Sequence, residues 1–190
     1  MLRRVPREST IGGEKLERIE GKKVLMIIAS SNFRDEEYKE PREILEAQGA
    51  KVTVASSTLK GCRGMLGLYA QPDILLNQVK VEDYDGILFI GGSGASEYWD
   101  SKIAQEIAQE AVKQDKVLGA ICIAPVTLAN AGVLKGKRAT VWPSEGIKIR
   151  NLGIQYIPSS VQVDGKIITA DGPESAKAFG EAIIKALATK

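Results

Sequence analysis

The sequence predicts an α/β protein, built as an open and mostly parallel sheet with helices on both faces. Three observations lead to this prediction. The chain has 190 residues, which is long enough for one substantial core. Short continuous apolar runs recur along it, as expected for strands that are buried on both faces. Segments of helical length alternate with these runs, and this alternation is typical of a doubly wound parallel sheet.

Four apolar runs and one hairpin supply the predicted strands. The runs cover residues 23–29, 51–55, 86–90 and 117–121. The hairpin pairs residues 161–163 with residues 166–170, because Asp164-Gly165 is a strong turn signal between them. The segment 56–80 is less regular, and we expect only short strands there, near residues 66–70.

Four helices are predicted from apolar periodicity and from stop signals. They cover residues 37–48, 101–114, 124–131 and 174–187. Gly49 and Gly132 follow two of these segments, where glycine commonly ends a helix. Ligands of such sheets gather at the carboxyl ends of the strands, so the residues that follow each strand are the candidates for function.

Composition excludes several classes of function. The chain has no histidine, so a Ser-His-Asp triad, a Cys-His dyad or a histidine metal site within one chain is ruled out. Its two cysteines form neither a disulfide framework nor a four-ligand zinc set, and they indicate a reducing, cytoplasmic setting. No apolar stretch approaches the roughly 20 residues of a membrane span. We predict no metal, no cofactor and no membrane partner.

Charge is uneven only at the beginning of the chain. Residues 1–22 hold six Lys or Arg and four Glu, which leaves 20 charges of each sign in residues 23–190. The body is therefore neutral and lacks the basic face of a nucleic-acid-binding protein. We predict an N-terminal extension over residues 1–22, either flexible or packed as an arm, and a single domain over residues 23–190.

Cys122 lies where a buried strand passes directly into a helix. This junction is typical of a nucleophile elbow, which thrusts one side chain above the sheet at a helix N-terminus. The free amides and the helix dipole there would lower the cysteine pKa. The alternative is that Cys122 is only a small buried hydrophobic residue, as free cysteines often are.

Two further groups lie near the same edge of the predicted sheet. Gly91 and Gly92 follow the strand that we place beside the Cys122 strand, and backbone amides there could form an oxyanion hole. The loop could equally be a tight turn or a phosphate-binding loop, although it matches neither common glycine motif. Acidic residues follow the first strand: Asp35, Glu36, Glu37, Glu40, Glu43 and Glu46. A carboxylate beside the thiol would raise its pKa, whereas a protonated carboxyl would stabilise the thiolate.

Together these segments resemble the ThiJ/PfpI family, which includes the parkinsonism-associated deglycase and the archaeal intracellular peptidase. The resemblance covers roughly residues 23–188. Its motifs are residues 23–29, Asp35-Glu36-Glu37 with Pro41, and residues 88–92, 120–125, 131–136, 163–169 and 172–173. It implies a flavodoxin-like fold and a homodimer or larger homo-oligomer.

The resemblance also implies roles for particular residues. Cys122 matches the family's nucleophile, and Glu37, four residues before Pro41, matches its acidic partner. Gly92 matches the amide donor, and the amide of Ile123 is its companion. These four residues are the predicted catalytic set.

The chain departs from the family at two histidines. Ile123 stands where peptidase-like members have a histidine, and Trp142 stands where deglycase-like members have one before proline. Trp142 would form an apolar wall over the thiol, or would only pack in the core. Arg63 matches a basic residue near the cleft of relatives, and the neighbouring Cys62 is expected to be structural or surface-exposed.

The favoured function is a cysteine-dependent glyoxalase or deglycase that acts on small reactive carbonyl compounds. One alternative is a stress protein whose cysteine is oxidised without turnover. Another is the intracellular peptidase activity, which the absence of histidine disfavours. A flavin-binding module is a more distant alternative.

Overall fold

A seven-stranded sheet forms the centre of the molecule. The structure is a computed structural model that describes residues 10–11 and 14–189, with side chains from residue 15 onward. The strands are β1 Thr10–Ile11, β2 Glu14–Lys15, β3 Lys23–Ile27, β4 Ser31–Phe33, β5 Lys51–Ser56, β6 Cys62–Gly64, β7 Tyr69–Ala70, β8 Ile74–Leu75, β9 Gly86–Phe89, β10 Val117–Ile121, β11 Arg138–Ala139, β12 Gln155–Tyr156, β13 Val161–Asp164 and β14 Ile167–Ala170. The helices are α1 Asp35–Ala47, α2 Lys102–Lys113, α3 Pro125–Asn130, α4 Gly146–Asn151 and α5 Ala176–Ala188.

The central sheet has the order β13-β14-β10-β9-β3-β5-β8. Every neighbouring pair is parallel except β13 and β14, which form the predicted antiparallel hairpin at one edge. β9 lies directly beside β10, as predicted, so the glycine loop and Cys122 leave the sheet at adjacent positions. The mostly parallel α/β architecture predicted from the sequence is confirmed.

Each face of the sheet contributes to its own apolar core. Along β3 the side chains alternate: Val24 and Met26 belong to one core, and Leu25 and Ile27 belong to the other. This is the period-two alternation of a strand whose two faces are both covered. Helices α1 and α5 pack on the first face, and α2 and α3 pack on the second.

The four long strands and four of the helices lie within a few residues of their predicted positions. Helix α1 begins at Asp35, two residues earlier than expected. Its first turn holds three acidic side chains, which the positive end of the helix dipole stabilises. In the irregular segment 56–80 the short strands are β6, β7 and β8, and β7 lies within the predicted residues 66–70. Helix α4 and the short strands β1, β2, β4, β6, β8, β11 and β12 were not predicted.

Part of the predicted extension is packed against the domain. Leu16 and Ile19 are buried in the core between the sheet and helices α1 and α5. The Ile19 amide donates to the Gln48 carbonyl oxygen at 2.9 Å, at the end of α1. The described part of residues 1–22 therefore contributes apolar contacts to the domain, while the boundary at residue 22 stays a prediction. No helix of the described residues is long and apolar enough to cross a membrane.

Candidate active site

Cys122 is held in a strained backbone conformation directly after β10. Its φ is 63°, in the left-handed region that non-glycine residues rarely adopt. Its amide donates to the Ala170 carbonyl oxygen at 2.9 Å, and its carbonyl oxygen accepts from the Trp142 amide at 2.8 Å. Both backbone groups of the elbow are therefore fixed by neighbouring segments. The Cys122 residue is 8% exposed.

Glu37 lies in the first turn of α1 with no solvent exposure. Among the described residues, neither oxygen of its carboxyl has a hydrogen-bond partner of standard geometry. The Cys122 thiol and the Gly91 amide are the polar groups that interact with it. An unpaired buried carboxylate is costly, so the environment favours the protonated carboxyl.

Gly91 is the residue that allows the carboxyl and the elbow to meet. A Cβ atom added at Gly91 would lie 2.4 Å from the Glu37 Oε2 atom and 2.5 Å from the Cys122 Cβ atom. These distances are far shorter than van der Waals contact. Any side chain at this position would push the acid and the thiol apart.

Two backbone amides face the sulfur. The N–H groups of Gly92 and Ile123 both interact with Cys122 and lower its pKa. Gly92 has a φ of 100°, and an added Cβ would lie 2.3 Å from the Arg34 nitrogen, so only glycine fits. The four predicted catalytic residues thus lie together, although their catalytic roles stay a prediction.

The expected lowering of the thiol pKa is wrong. Burial raises the pKa of Cys122 to about 12, and a negative charge on Glu37 adds to this effect, so the two amides are outweighed. Helix α3 is only six residues long and begins at Pro125, so its dipole contributes little at the sulfur. Burial also raises the pKa of Glu37, to about 8.

The acid and the thiol therefore titrate as one unit. At neutral pH most molecules hold a proton on each group. When the pair loses one proton, the remaining proton can lie on Glu37 and the negative charge on Cys122, where the amides of Gly92 and Ile123 stabilise it. Loss of this first proton is half complete near pH 8, so the pair with one proton becomes the main form above that pH.

A short loop after β6 closes over the beginning of α1. Asp35 is buried and accepts from the amides of Leu66 at 2.9 Å and Leu68 at 2.7 Å. The Met65 amide donates to the Phe33 carbonyl oxygen at 2.9 Å. Asp35 therefore acts as the anchor of this loop, a role that the sequence did not reveal because the partners are more than 30 residues away.

Three residues that the sequence singled out lie around this site or in the core. Trp142 is 42% exposed, so it is not ordinary core. Arg63 lies on β6 with an exposed side chain, and its predicted contact with the cleft stays a prediction. Cys62 is fully buried, with its sulfur 3.7 Å from the Ser56 hydroxyl oxygen, which fits the structural role expected for it.

The second tryptophan is also attached to the elbow. The Trp99 indole Nε1–H donates to the Ile123 carbonyl oxygen at 3.1 Å.

Within the described part of the chain, no group of three or more cysteine, aspartate or glutamate side chains is arranged to hold a metal ion.

The fold and this site define a class of protein: a flavodoxin-like α/β domain with a cysteine elbow and a buried acidic partner. The model of the DJ-1/PfpI family matches residues 22–186, and the chain belongs to that family. The resemblance found in the sequence is thereby confirmed.

Individual relatives agree with this assignment. An uncharacterized protein of Methanocaldococcus jannaschii is 42% identical over 94% of this chain and 88% of its own length. A deglycase of Pyrococcus abyssi is 28% identical over 86% of this chain and 98% of its own. Among solved structures, a ThiJ/PfpI domain protein from Brachyspira murdochii superposes with a TM-score of 0.86, at 30% identity, over 88% of this chain and 97% of that one.

Proposed function

We propose that this protein is a cysteine-dependent enzyme of the glyoxalase or deglycase type, acting on small α-oxoaldehydes or on their adducts. The observation that carries the proposal is the buried pair of Glu37 and Cys122, with two amides aimed at the sulfur. The deglycase relative supports the same class of enzyme.

The first step is addition to the aldehyde. The Cys122 sulfur attacks the aldehyde carbon, a C–S bond forms, and the carbonyl π electrons move to oxygen. The amides of Gly92 and Ile123 are the candidate donors for this oxyanion. Glu37 then gives its proton to the oxygen, which leaves a neutral hemithioacetal and a carboxylate.

The later steps return the protein to its starting state. The Glu37 carboxylate takes the proton from the former aldehyde carbon, which gives an enediolate with its negative charge on the neighbouring oxygen. Glu37 then returns this proton to the neighbouring carbon, while the hydroxyl proton of the former aldehyde oxygen passes to that neighbouring oxygen, giving a 2-hydroxy thioester. Water then breaks the C–S bond, so that a 2-hydroxy acid leaves and the thiol regains its proton. The sum is one α-oxoaldehyde plus one water giving one 2-hydroxy acid, with no external oxidant. One carboxyl thus carries the proton transfers in a chain without histidine.

The test is turnover of methylglyoxal by the purified protein and by a Cys122→Ala variant. We expect the variant to lose roughly 1000-fold or more in kcat/KM. The matched control is Cys62→Ala, which removes the other thiol, a fully buried group beside the Ser56 hydroxyl. Equal turnover by Cys122→Ala and the parent protein would overturn the proposal.

A redox-sensing role is the second candidate, favoured by the different burial of the two thiols. Cys122 keeps a small exposed fraction, whereas Cys62 has none. Mild peroxide would then add oxygen to Cys122 first, which mass spectrometry detects. Selective oxidation together with absent turnover would favour this second role.

A further inference from the structure

Two exposed apolar side chains belong to segments that are hydrogen-bonded to the site. Trp142 is 42% exposed and Met65 is 43% exposed, although large apolar side chains gain free energy from burial. Each is attached through its backbone to a different part of the site. This arrangement suggests a ligand whose apolar group covers them.

Trp142 is fixed from two sides. Its amide donates to the Cys122 carbonyl oxygen at 2.8 Å, and its ring lies against Gly172, where an added Cβ would come within 2.8 Å of the ring atom Cζ3. Gly172 lies two residues after Ala170, which accepts the Cys122 amide. The indole is thus held beside the elbow with much of its surface open.

Met65 approaches from the loop after β6. Its sulfur accepts from the Ser93 amide at 3.5 Å, directly after the Gly92 donor. Its own amide is bonded to the Phe33 carbonyl oxygen, and the next residue, Arg34, donates to the Gly91 carbonyl oxygen at 2.9 Å. Met65 is therefore attached both to the glycine loop and to the segment that leads into α1.

An apolar surface of this kind disfavours a charged substituent. A carboxylate placed against Trp142 and Met65 would lose hydration without an opposite charge from either side chain, and such a loss costs free energy.

From this arrangement we infer that the site selects carbonyl compounds that carry an uncharged apolar substituent, an aryl or branched alkyl group, and that Trp142 and Met65 contact that substituent. The reacting carbonyl rests on the proposed function. The preference for the apolar substituent rests on the two side chains.

The first measurement compares kcat/KM for phenylglyoxal, its 4-carboxy derivative and methylglyoxal. For each compound, the rate found with the Cys122→Ala variant is subtracted. We expect phenylglyoxal to exceed the 4-carboxy derivative by about 10-fold or more. We expect Trp142→Ala and Met65→Ala each to lower the phenylglyoxal-to-methylglyoxal ratio by roughly 10-fold. Val112→Ala, at a 42% exposed apolar residue on α2, is the matched control and leaves the ratio unchanged.

The second measurement needs no turnover. Mass spectrometry follows alkylation of Cys122 by iodoacetamide, iodoacetate and N-phenyl iodoacetamide, with the Cys62 peptide as internal reference. We expect the phenyl reagent to react fastest and iodoacetate slowest, with the phenyl advantage lost in Trp142→Ala. If this order of alkylation rates is found but none of the carbonyl compounds is turned over, the proposed function is overturned and the inference stands. If the carbonyl compounds are turned over but neither Trp142→Ala nor Met65→Ala changes the phenylglyoxal-to-methylglyoxal ratio, the inference is overturned and the proposed function stands.

Discussion

The carboxyl of Glu37 and the thiol of Cys122 interact in the interior, and Gly91 packs against both residues. One comes from the first turn of α1 and the other from the end of β10, and 84 residues of chain separate them. Burial raises the pKa of both groups, so neither ionises independently of the other. Several expectations follow from this relationship.

Glu37→Gln keeps the shape of the side chain and removes the acid. We expect turnover to fall by roughly 100-fold or more, because the proton acceptor for the thiol is lost. In the parent protein the alkylation rate of Cys122 should show an inflection near pH 8 and level off above it. In the variant this inflection should move above the ordinary thiol value, because burial alone still raises the pKa of Cys122.

Glu36→Gln is the control for that measurement. Its carboxyl is hydrogen-bonded to Arg34, which holds the pKa of Glu36 below its usual range, so it takes no part in the inflection. The interpretation fails if Glu37→Gln and the parent protein share the same alkylation profile.

The same acid makes stability depend on pH. The pKa of Glu37 is about 8 in the folded protein against an ordinary value of 4.5, so the folded state binds the extra proton between these values. Its stabilising contribution is full below about pH 4.5 and is lost as the pH rises through 8. Urea unfolding at pH 5, 6.5 and 8 should therefore show a declining free energy of unfolding in the parent protein. Glu37→Gln should flatten the decline; an unchanged slope would contradict the assignment.

Gly92→Ala should damage both the fold and the site. A Cβ at this position would lie 2.3 Å from the Arg34 nitrogen and 2.5 Å from the Asn32 carbonyl oxygen, so the backbone must shift. We expect a loss of at least roughly 3 kcal/mol in the free energy of unfolding. Gly132→Ala is the matched control, since Gly132 also has a positive φ, 80°, but open space around it. Its cost should be about 1–2 kcal/mol. Equal losses in the free energy of unfolding for Gly92→Ala and Gly132→Ala would show that the expected clash at Gly92 is absent.

Asp35→Ala should release the loop after β6. Two amides, of Leu66 and Leu68, would lose their acceptor, at a cost of roughly 1–3 kcal/mol. Limited proteolysis should then cut within residues 64–68 faster than in the parent protein. Glu36→Ala, in the same helical turn, should leave the cutting rate unchanged, and equal cutting of both variants would refute the anchoring role.

The sequence predicted the parts of the fold that depend on local pattern. The strands around Val24, Leu88 and Leu118 are continuous apolar runs because both of their faces are buried, and such runs are visible without a structure. The short strands β4, β6 and β7 depend on the anchor at Asp35 and on pairing between distant segments. No local signal marks β4 and β6, whereas β7 lies within the predicted residues 66–70.

The four residues that lie together at the candidate site were all singled out in the sequence, and their catalytic roles stay predictions. The electrostatics of the site were not predicted. Cys122 and Glu37 were both identified, but the direction of the thiol pKa was wrong, because burial of the sulfur depends on how α1 and the glycine loop pack over it. The loop carrying Met65 had no expected role, since its position depends on tertiary contacts. The homo-oligomer, the cytoplasmic location and the contact of Arg63 with the cleft stay predictions.

Both tryptophans of the chain are hydrogen-bonded to the elbow, Trp142 to the Cys122 carbonyl oxygen and Trp99 to that of Ile123. The tryptophan fluorescence of the protein therefore originates beside the elbow that carries the Cys122 sulfur. Formation and decay of a covalent adduct should change the emission, so single turnovers can be followed in a stopped-flow instrument without any attached dye.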